Sequence, residues 1–280
     1  MKRLALLYHP HKEIARELAE AWRAEIMARG APEPIVENAW DEARVDQLCH
    51  QADLLLTLGG DGTLLRAARS GALCGVPVMG VKLGTVGFLS GLHPDAFSKQ
   101  LERLLNGEYW IEERMMVRAR WRRDDQELGV YDAINDVVVS RGKLARVIRI
   151  EAAIDGEVLQ LFSADGAIIA TATGSTAYSL AAGGPILAPT VRTMLITLIS
   201  PYLSPITSLV LPEGAHVSLQ VHSQNNPILT IDGQTDYELQ DGDVVETKAS
   251  PNLARFARLE ARGYFYRTLV NRLRESDDGL

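Results

Sequence analysis

The first part of the chain alternates between short apolar runs and stretches in which apolar residues recur at helical spacing. Short apolar runs, each typical of a buried strand, occur at Leu4–Tyr8, Ile35–Val36, Leu54–Leu58 and Val76–Val81. Between and after them, Lys12–Arg29 and Pro94–Leu105 have the spacing of amphipathic helices, each followed by a glycine. Strands that alternate with helices predict a parallel, Rossmann-like sheet with helices on both faces.

The pattern changes from about residue 116, where short β-rich runs follow one another with few long helices. Turn pairs such as Asp155-Gly156 separate some of these runs and predict hairpins. This half therefore predicts an antiparallel, β-sandwich-like domain. Phe265, Leu269 and Leu273 then recur at helical spacing, which predicts a C-terminal helix that packs back on the first domain. We expect an α/β domain over 1–115 with about 260–280, and a β-rich domain over 116–259.

Composition narrows the possible functions. The 280 residues carry a formal net charge of −7, which argues against non-specific nucleic-acid binding. The apolar stretch from Val191 to Leu211 is broken by Arg192, Pro201 and Pro205, so we expect no membrane span. Cys49 and Cys74 show no metal-binding spacing and predict two free, reduced thiols in a cytoplasmic protein.

A glycine-rich turn offers the first candidate chemistry. Leu54–Leu58 leads into Gly59-Gly60-Asp61-Gly62-Thr63, and good helix formers follow. Glycines let the backbone bend and let a ligand approach closely, and N–H groups at a helix start favour phosphate. Gly59, Gly60, Gly62 and Thr63 are thus a candidate phosphate loop. A carboxylate in this place, Asp61, suggests a proton to remove or a metal to bind; the alternative is an ordinary turn whose Asp caps the helix.

Two further segments carry polar residues where apolar ones are expected. Asn135-Asp136 interrupts an apolar strand, and burying both without partners would cost free energy. They either bind a ligand or lie in a bulge at a strand end. The stretch from Asp165 to Pro185 combines a buried strand with small hydroxyl and glycine residues, and Tyr178 could stack on a ring. Taken alone, it could equally be a loop between strands.

Taken together, these motifs resemble the NAD kinase family. The resemblance is carried by Gly59–Thr63, Asn135-Asp136 and Thr173–Ser179 in this order and spacing, and Ala182–Ile186 and Ile231–Gln234 extend it. It covers the chain from about 55 to 235. The first motif is shared with the diacylglycerol and sphingoid kinases of the same superfamily, whereas the Thr173–Ser179 segment is much more specific to NAD kinases.

The resemblance implies that ATP, with Mg²⁺ or another divalent cation, phosphorylates the 2′-hydroxyl of the adenosine ribose of NAD. It implies Asp61 as the general base. The residues that it implies in NAD binding are Asp61, Gly62, Arg66, Asn135, Asp136, Arg146, Ser163, Asp165, Thr173, Thr176, Ala177, Tyr178, Ser179, Leu180, Ala181 and Gln234. It also implies a homodimer or homotetramer. The metal ligands, the phosphoryl donor (ATP, another triphosphate or polyphosphate) and the use of NADH stay open.

The chain departs from the family pattern in three places. Asp136 stands where the family mostly has Glu; Ala170 and Ala172 replace Ser and Pro; Pro201–Ser204 lacks a His and an Arg usual nearby. Two alternative functions remain: a lipid or sphingoid-type kinase, which would need an apolar acceptor pocket, and a nucleotide-binding module without catalysis. The retained carboxylate of Asp61 argues against the second, since a mere binder would gain from losing it.

Overall fold

The computed structural model describes residues 2–83, 89, 91–142, 146–204, 206–223, 225–266 and 269. It divides the chain into two compact units, Met1–Glu113 with Ala254–Leu280 (unit 1) and Arg114–Leu253 (unit 2). The sequence analysis expects domain boundaries near residues 115 and 260. None of the described helices is long and apolar enough to span a membrane.

Unit 1 begins with alternating strands and helices. Its elements are β1 (Leu4–Tyr8), α1 (Glu13–Ala28), β2 (Ile35–Asn38), α2 (Glu42–Cys49), β3 (Leu54–Gly59), α3 (Asp61–Cys74), β4 (Val78–Lys82), a 3₁₀ turn (Pro94–Ala96) and α4 (Phe97–Asn106). The remaining strands are β5 (Trp110–Arg123), β6 (Gln126–Ala133), β7 (Asp136–Ser140), β8 (Ile148–Ile154), β9 (Glu157–Ala164), β10 (Gly166–Thr171), β11 (Thr193–Ile199), β12 (Ser208–Pro212), β13 (Val217–His222), β14 (Ile228–Ile231), β15 (Thr235–Glu238) and β16 (Val244–Arg258). A 3₁₀ turn (Gly174–Thr176) and the short α5 (Tyr178–Ala181) follow β10.

The sheet of unit 1 is parallel, as the sequence predicts. Its strands follow the order β2-β1-β3-β4, and the end of β16 pairs in parallel with β4 through Phe256 and Val78. Every residue of β3 is buried because helices cover a parallel sheet on both faces. On α1 the buried face is formed by Ala15, Ala19, Trp22 and Ile26, and the Trp22 ring stacks on Phe97 at 3.7 Å.

The helix α2, which the sequence analysis does not predict, changes the picture of the cysteines. Asp41 caps it by accepting a hydrogen bond from the Arg44 N–H at 3.1 Å. Its last residue, Cys49, forms a disulfide with Cys74, the last residue of α3, across a Cα–Cα distance of 6.3 Å. The prediction of two free thiols is therefore wrong. Sequence spacing gives no hint of this bond, because it depends on α2 packing beside α3.

Unit 2 is a β-sandwich, again as predicted. One antiparallel sheet has the order β12-β11-β10-β7-β14-β15; the other contains β13 between β8 and the first part of β16, with β9 beside β8 and a β5–β6 pair. Apolar residues of both sheets meet in one core that includes Val137, Ile169, Ile150 and Leu219. The opposite face of the first sheet packs on the loop around Ala182 and Leu187. The loop after β10 is thereby held against its own sheet.

The predicted C-terminal helix begins at Tyr264–Tyr266 within unit 1. The Tyr264 hydroxyl donates to Glu112 at 3.5 Å, and the Arg258 guanidinium lies 5.0 Å from the Tyr264 ring. The rest of the predicted helix, apart from Leu269, lies outside the described residues. The described start of this segment packs among residues of the first domain.

Candidate active site

The glycine-rich turn lies between β3 and α3. Gly60 is the N-cap residue, with φ −102° and ψ −173°, and as a glycine it has no side chain to cap the helix. Asp61 is the first residue of α3, one position after the N-cap. Neither Gly59 nor Gly60 has a positive φ, so the turn does not need glycine for its backbone conformation.

The two glycines are needed for space instead. A Cβ on Gly59 would overlap the Thr63 side chain, so glycine there permits internal packing. A Cβ on Gly60 would meet no described atom within 4 Å, so the space beside it is open. A ligand can therefore approach the main chain at Gly60, as the sequence analysis expects.

A lysine that the sequence analysis does not identify lies beside Asp61. The Lys82 ammonium is 3.8 Å from Asp61 Oδ1, and both side chains are partly exposed. Lys82 is at the carboxyl end of β4, where the parallel register pairs it with Gly59. The next residue, Leu83, donates its N–H to the Gly59 carbonyl at 3.1 Å and accepts from the Lys12 ammonium at 3.0 Å. Two positive charges thus lie close to the turn.

Two other residues near the turn, Arg66 and Thr63, make contacts within the protein. Arg66 donates to Glu42 at 2.6 Å, and its guanidinium is 5.1 Å from the Trp40 ring. Its predicted contact with NAD would have to compete with that ion pair. Thr63 is buried, and its hydroxyl has no hydrogen-bond partner among the described residues. The Thr63 side chain packs closely against Gly59 and in this way supports the turn.

Unit 2 contains a cavity of about 380 Å³. Four of its lining residues are ones that the sequence analysis predicts: Asn135, Asp136, Ala177 and Tyr178. The others, which it does not predict, are Val138, Ser140, Thr230, Asp232 and Gly233. The Tyr178 side chain is 46% exposed, so its ring is available for stacking. The cavity thus joins two predicted motifs that are separated by some forty residues.

Asp136 and Asp232 form a buried pair of carboxyl groups in this cavity. Burial, and then the charge of Asp232, raise the pKa of Asp136 to about 7. The Asp232 carboxylate accepts backbone N–H bonds from Ile134, Asn135 and Asp136 at 3.1, 2.7 and 3.2 Å. Near neutral pH the Asp136 carboxyl can therefore carry a proton and donate a hydrogen bond. The polar pair that interrupts the apolar strand is thus explained by a third polar residue.

The segment after β10 is fixed against the Asn135 motif. The Thr171 hydroxyl donates to the Ile134 carbonyl, and the Thr171 N–H donates to the Asn135 carbonyl at 2.8 Å. A Cβ on Gly174 would overlap that same carbonyl oxygen, so only glycine fits there. Thr173 is buried, and its hydroxyl lacks a partner in the described part of the chain. A buried hydroxyl of this kind leaves hydrogen-bonding capacity that a ligand or a water can satisfy.

The remaining predicted residues do not line the cavity. Asp165 forms an ion pair with Arg141 at 3.0 Å, and Arg146 is exposed. The Ser179 hydroxyl shares a hydrogen bond with Thr197 at 3.0 Å and points into the protein. The others, whose roles stay predictions, are Thr176, Leu180 and Ala181 of the segment after β10, Ser163 of β9 and Gln234 after β14.

The described residues offer one group with three potential metal ligands, formed by Cys49, His50 and Cys74. The two cysteines are bonded to each other, and the group has no carboxylate oxygen. It does not match Mg²⁺, which prefers oxygen ligands.

A parallel α/β unit with a carboxylate on a glycine-rich turn, and a β-sandwich unit with a cavity lined in part by Asn135 and Asp136, define a nucleotide-dependent kinase class. Residues 6–109 match the ATP-NAD kinase N-terminal domain, and residues 134–259 match the ATP-NAD kinase C-terminal domain. The chain therefore belongs to the NAD kinase family, and it is an enzyme of that family. The resemblance found from the motifs is confirmed.

Relatives agree over the whole length. The chain is 38% identical to a NAD kinase of Chloroflexus aggregans over 99% of this chain and 100% of the relative. It is 43% identical to a NAD kinase of Heliobacterium modesticaldum over 90% of each. A yeast NADH kinase complexed with NADH superposes with a TM-score of 0.82 at 25% identity, over 96% of this chain and 86% of that one. An Archaeoglobus fulgidus NAD kinase in complex with ATP, at 24% identity, shares the fold with a TM-score of 0.78, over 97% and 98%.

Proposed function

We propose that this chain transfers the terminal phosphoryl group of ATP to the 2′-hydroxyl of the adenosine ribose of NAD, giving NADP and ADP. The observation that carries the proposal is Asp61, a part-exposed carboxylate at the first residue of α3 with the Lys82 ammonium beside it. The family of the chain supports the reaction, and relatives in complexes with NADH and with ATP support the two substrates.

Asp61 acts as the general base. A sugar hydroxyl is a weak nucleophile, and a positioned carboxylate assists it by accepting the proton as the new O–P bond forms. The phosphoryl group leaves ADP at the same time, so negative charge spreads over its oxygens. Lys82 lies close enough to Asp61 to offset part of that charge, as does Lys12 through its position beside Leu83.

A divalent cation such as Mg²⁺ would be supplied with ATP, where it would neutralise phosphate charge. Asp61 is the carboxylate of the turn that could touch it or one of its waters. The open space at Gly60 gives the phosphates access to the backbone of the turn. The structure thus matches a donor held mainly by backbone and lysines, since the sequence contains no GxxxxGK[ST] loop.

The cavity of unit 2 binds the adenosine part of NAD. Asn135 and Asp136 offer an amide and a protonated carboxyl group, Tyr178 offers an exposed ring, and the Thr173 hydroxyl needs a partner. Adenine and ribose present hydrogen-bonding edges and a flat face that fit these groups. Arg66, Arg146, Ser163, Asp165 and Gln234 are proposed as further NAD contacts on the resemblance alone.

The test is to incubate the protein with NAD, ATP and Mg²⁺ and to measure NADP. Asp61→Asn should lower kcat by about 10²- to 10⁴-fold while NAD still binds. Asp95→Asn is the matched control, because Asp95 is an exposed carboxylate of unit 1 with no part in the turn. A wild-type protein that makes no NADP contradicts the function. An Asp61→Asn protein with normal kcat contradicts the assigned base.

The same assay separates the alternatives. A lipid or sphingoid-type kinase would phosphorylate diacylglycerol or sphingosine in place of NAD, and a binding module would hold NAD without turnover. Replacing ATP by other triphosphates or polyphosphate, and NAD by NADH, defines the donor and the acceptor. We also propose a cytoplasmic homodimer or homotetramer, which light scattering after size-exclusion chromatography would test.

A further inference from the structure

A tight turn brings an aspartate that the motifs leave without a role to the base of the dinucleotide cavity. Asp232 and Gly233 connect β14 to β15, with φ +52° and +64°, and Gln234 N–H donates to the Ile231 carbonyl at 3.0 Å. Two consecutive positive φ angles are typical of a type I′ hairpin turn, in which Asp-Gly is a favoured pair. The turn therefore explains why an aspartate is favoured at this position. It does not explain the hydrogen bonds that the Asp232 carboxylate accepts.

The Asp232 side chain bonds three successive backbone N–H groups. Its Oδ1 accepts from Asn135 and Asp136 at 2.7 and 3.2 Å, and its Oδ2 accepts from Ile134 at 3.1 Å. In return, the Asp232 N–H donates to the Asp136 carbonyl at 2.9 Å. The side chain is 7% exposed. A carboxylate in this place fixes the backbone at which β7 begins, and with it the two side chains that line the cavity.

We infer that Asp232 is a positioning residue for NAD: its carboxylate holds the Asn135-Asp136 backbone in the orientation that presents both side chains to the adenosine. The inference rests on the proposed function. Asp232 acts through these two residues and through its charge on Asp136. Because that charge favours the protonated form of Asp136, Asp232 also makes Asp136 a hydrogen-bond donor, suited to an acceptor atom on the nucleoside.

The charges around Asp136 are few. Among the described residues that line the cavity, the titratable groups are Asp136, Asp232 and Tyr178. On the neighbouring strand β10, Asp136 lies opposite Ala170, between Ile169 and Thr171, which carry no charge. With a pKa of about 7, Asp136 should lose its proton as the pH rises through neutrality, and the affinity for NAD should fall with it.

The test compares NAD kinetics of wild type and Asp232→Asn from pH 5.5 to 8.5. An asparagine keeps the shape but can no longer accept all three bonds and carries no charge. The KM for NAD should rise about 10- to 100-fold, the size expected for losing hydrogen bonds to a charged group, and by more than kcat falls. The inflection of log KM against pH should move to lower pH, because the charge that raises the pKa of Asp136 is gone.

Asp155→Asn is the matched control. Asp155 also precedes a glycine in a hairpin turn, has φ +51°, and accepts a backbone N–H, that of His216, at 2.8 Å. It lies outside the cavity lining, so its variant should keep the wild-type KM and inflection. A merely structural role for Asp232 would weaken folding without raising the KM for NAD.

A second variant keeps the inference testable if Asp232→Asn fails to fold. Asp136→Asn should remove the inflection near pH 7 while the Asp232 carboxylate still holds the backbone. The inference is overturned if Asp136→Asn retains that inflection, or if folded Asp232→Asn shows the wild-type KM and profile. Failure of the proposed function is a separate result, since wild type would then form no NADP at any pH.

Discussion

The buried carboxyl group of Asp136 should make the free energy of unfolding depend on pH. Its pKa rises from 3.8 to about 7 in the folded protein, because burial and the charge of Asp232 disfavour the ionised form. The folded state thus holds a proton that the unfolded state releases between these values. Stability from this group is fully present below pH 4 and is lost as the pH rises to 7. The shift of about 3 units corresponds to roughly 4 kcal/mol.

The Asp136→Asn variant isolates this contribution. Asparagine has nearly the same shape and does not titrate, so the variant should gain stability relative to wild type as the pH rises from 4 to 7. Above pH 7 the difference should stay constant. Urea unfolding of both proteins, without nucleotide, at intervals of one pH unit from 4 to 9 measures the difference, and taking a difference cancels the carboxylates that do not interact with Asp136.

Two outcomes would refute this reasoning. One is a difference between the two proteins that does not change with pH. The other is a wild type that loses more stability than the variant as the pH falls below 7. Asp125→Asn serves as the control, since the Asp125 side chain is exposed and should meet similar surroundings in the folded and unfolded states.

Three further predictions concern unit 1. Gly59→Ala should lower stability by about 1–3 kcal/mol in thermal melts, because its Cβ would overlap a neighbouring side chain. Gly60→Ala should fold normally but raise the KM for ATP; an unchanged KM would show that the space at Gly60 is not used. Cys74→Ser should lower the free energy of unfolding by about 3 kcal/mol, as for a disulfide that closes a loop of 25 residues. Dithiothreitol should cause the same loss in wild type and none in the variant. A wild-type unfolding midpoint that dithiothreitol leaves unchanged would contradict the disulfide. Glu112→Gln should lower the free energy of unfolding in urea by about 3–5 kcal/mol. Arg258 is 2% exposed, and its guanidinium, 3.1 Å from the Glu112 carboxylate, would remain a buried charge without this anionic partner. A loss below 1 kcal/mol would show that the ion pair is hydrated.

The sequence is sufficient for most of the architecture. Apolar runs and helical spacing locate β1, α1, β3 and β4 to within two residues, because these elements bury a regular pattern. The helix α2 escapes prediction because it is short and buries only Val45, Leu48 and Cys49. The disulfide escapes for the same reason, since nothing in the spacing of the cysteines places two helix ends together.

The functional site divides along similar lines. Asp61 is visible in the sequence because it lies in a glycine-rich turn, and the Asn135-Asp136 pair because it interrupts an apolar strand. Lys82 is not visible, and Asp232 lies within the Ile231–Gln234 match without a role of its own, because the partners of both depend on which strand ends lie side by side. Lys82 meets the turn through the register of β3 with β4, and Asp232 reaches Asn135 through a hairpin that follows almost a hundred residues later. Strand order, more than residue type, determines these partners.

The contact between Gly174 and the carbonyl oxygen of Asn135 has a consequence for anyone who would redesign the acceptor preference of this enzyme. The main chain at Gly174 contacts the main chain at Asn135 directly, and a Cβ atom on Gly174 has no room. A library that diversifies one segment while the other stays fixed would therefore discard most bulky choices for steric reasons before acceptor choice is ever tested. Variation restricted to side chains that point into the open cavity, such as those of Tyr178 and Thr230, would avoid that loss.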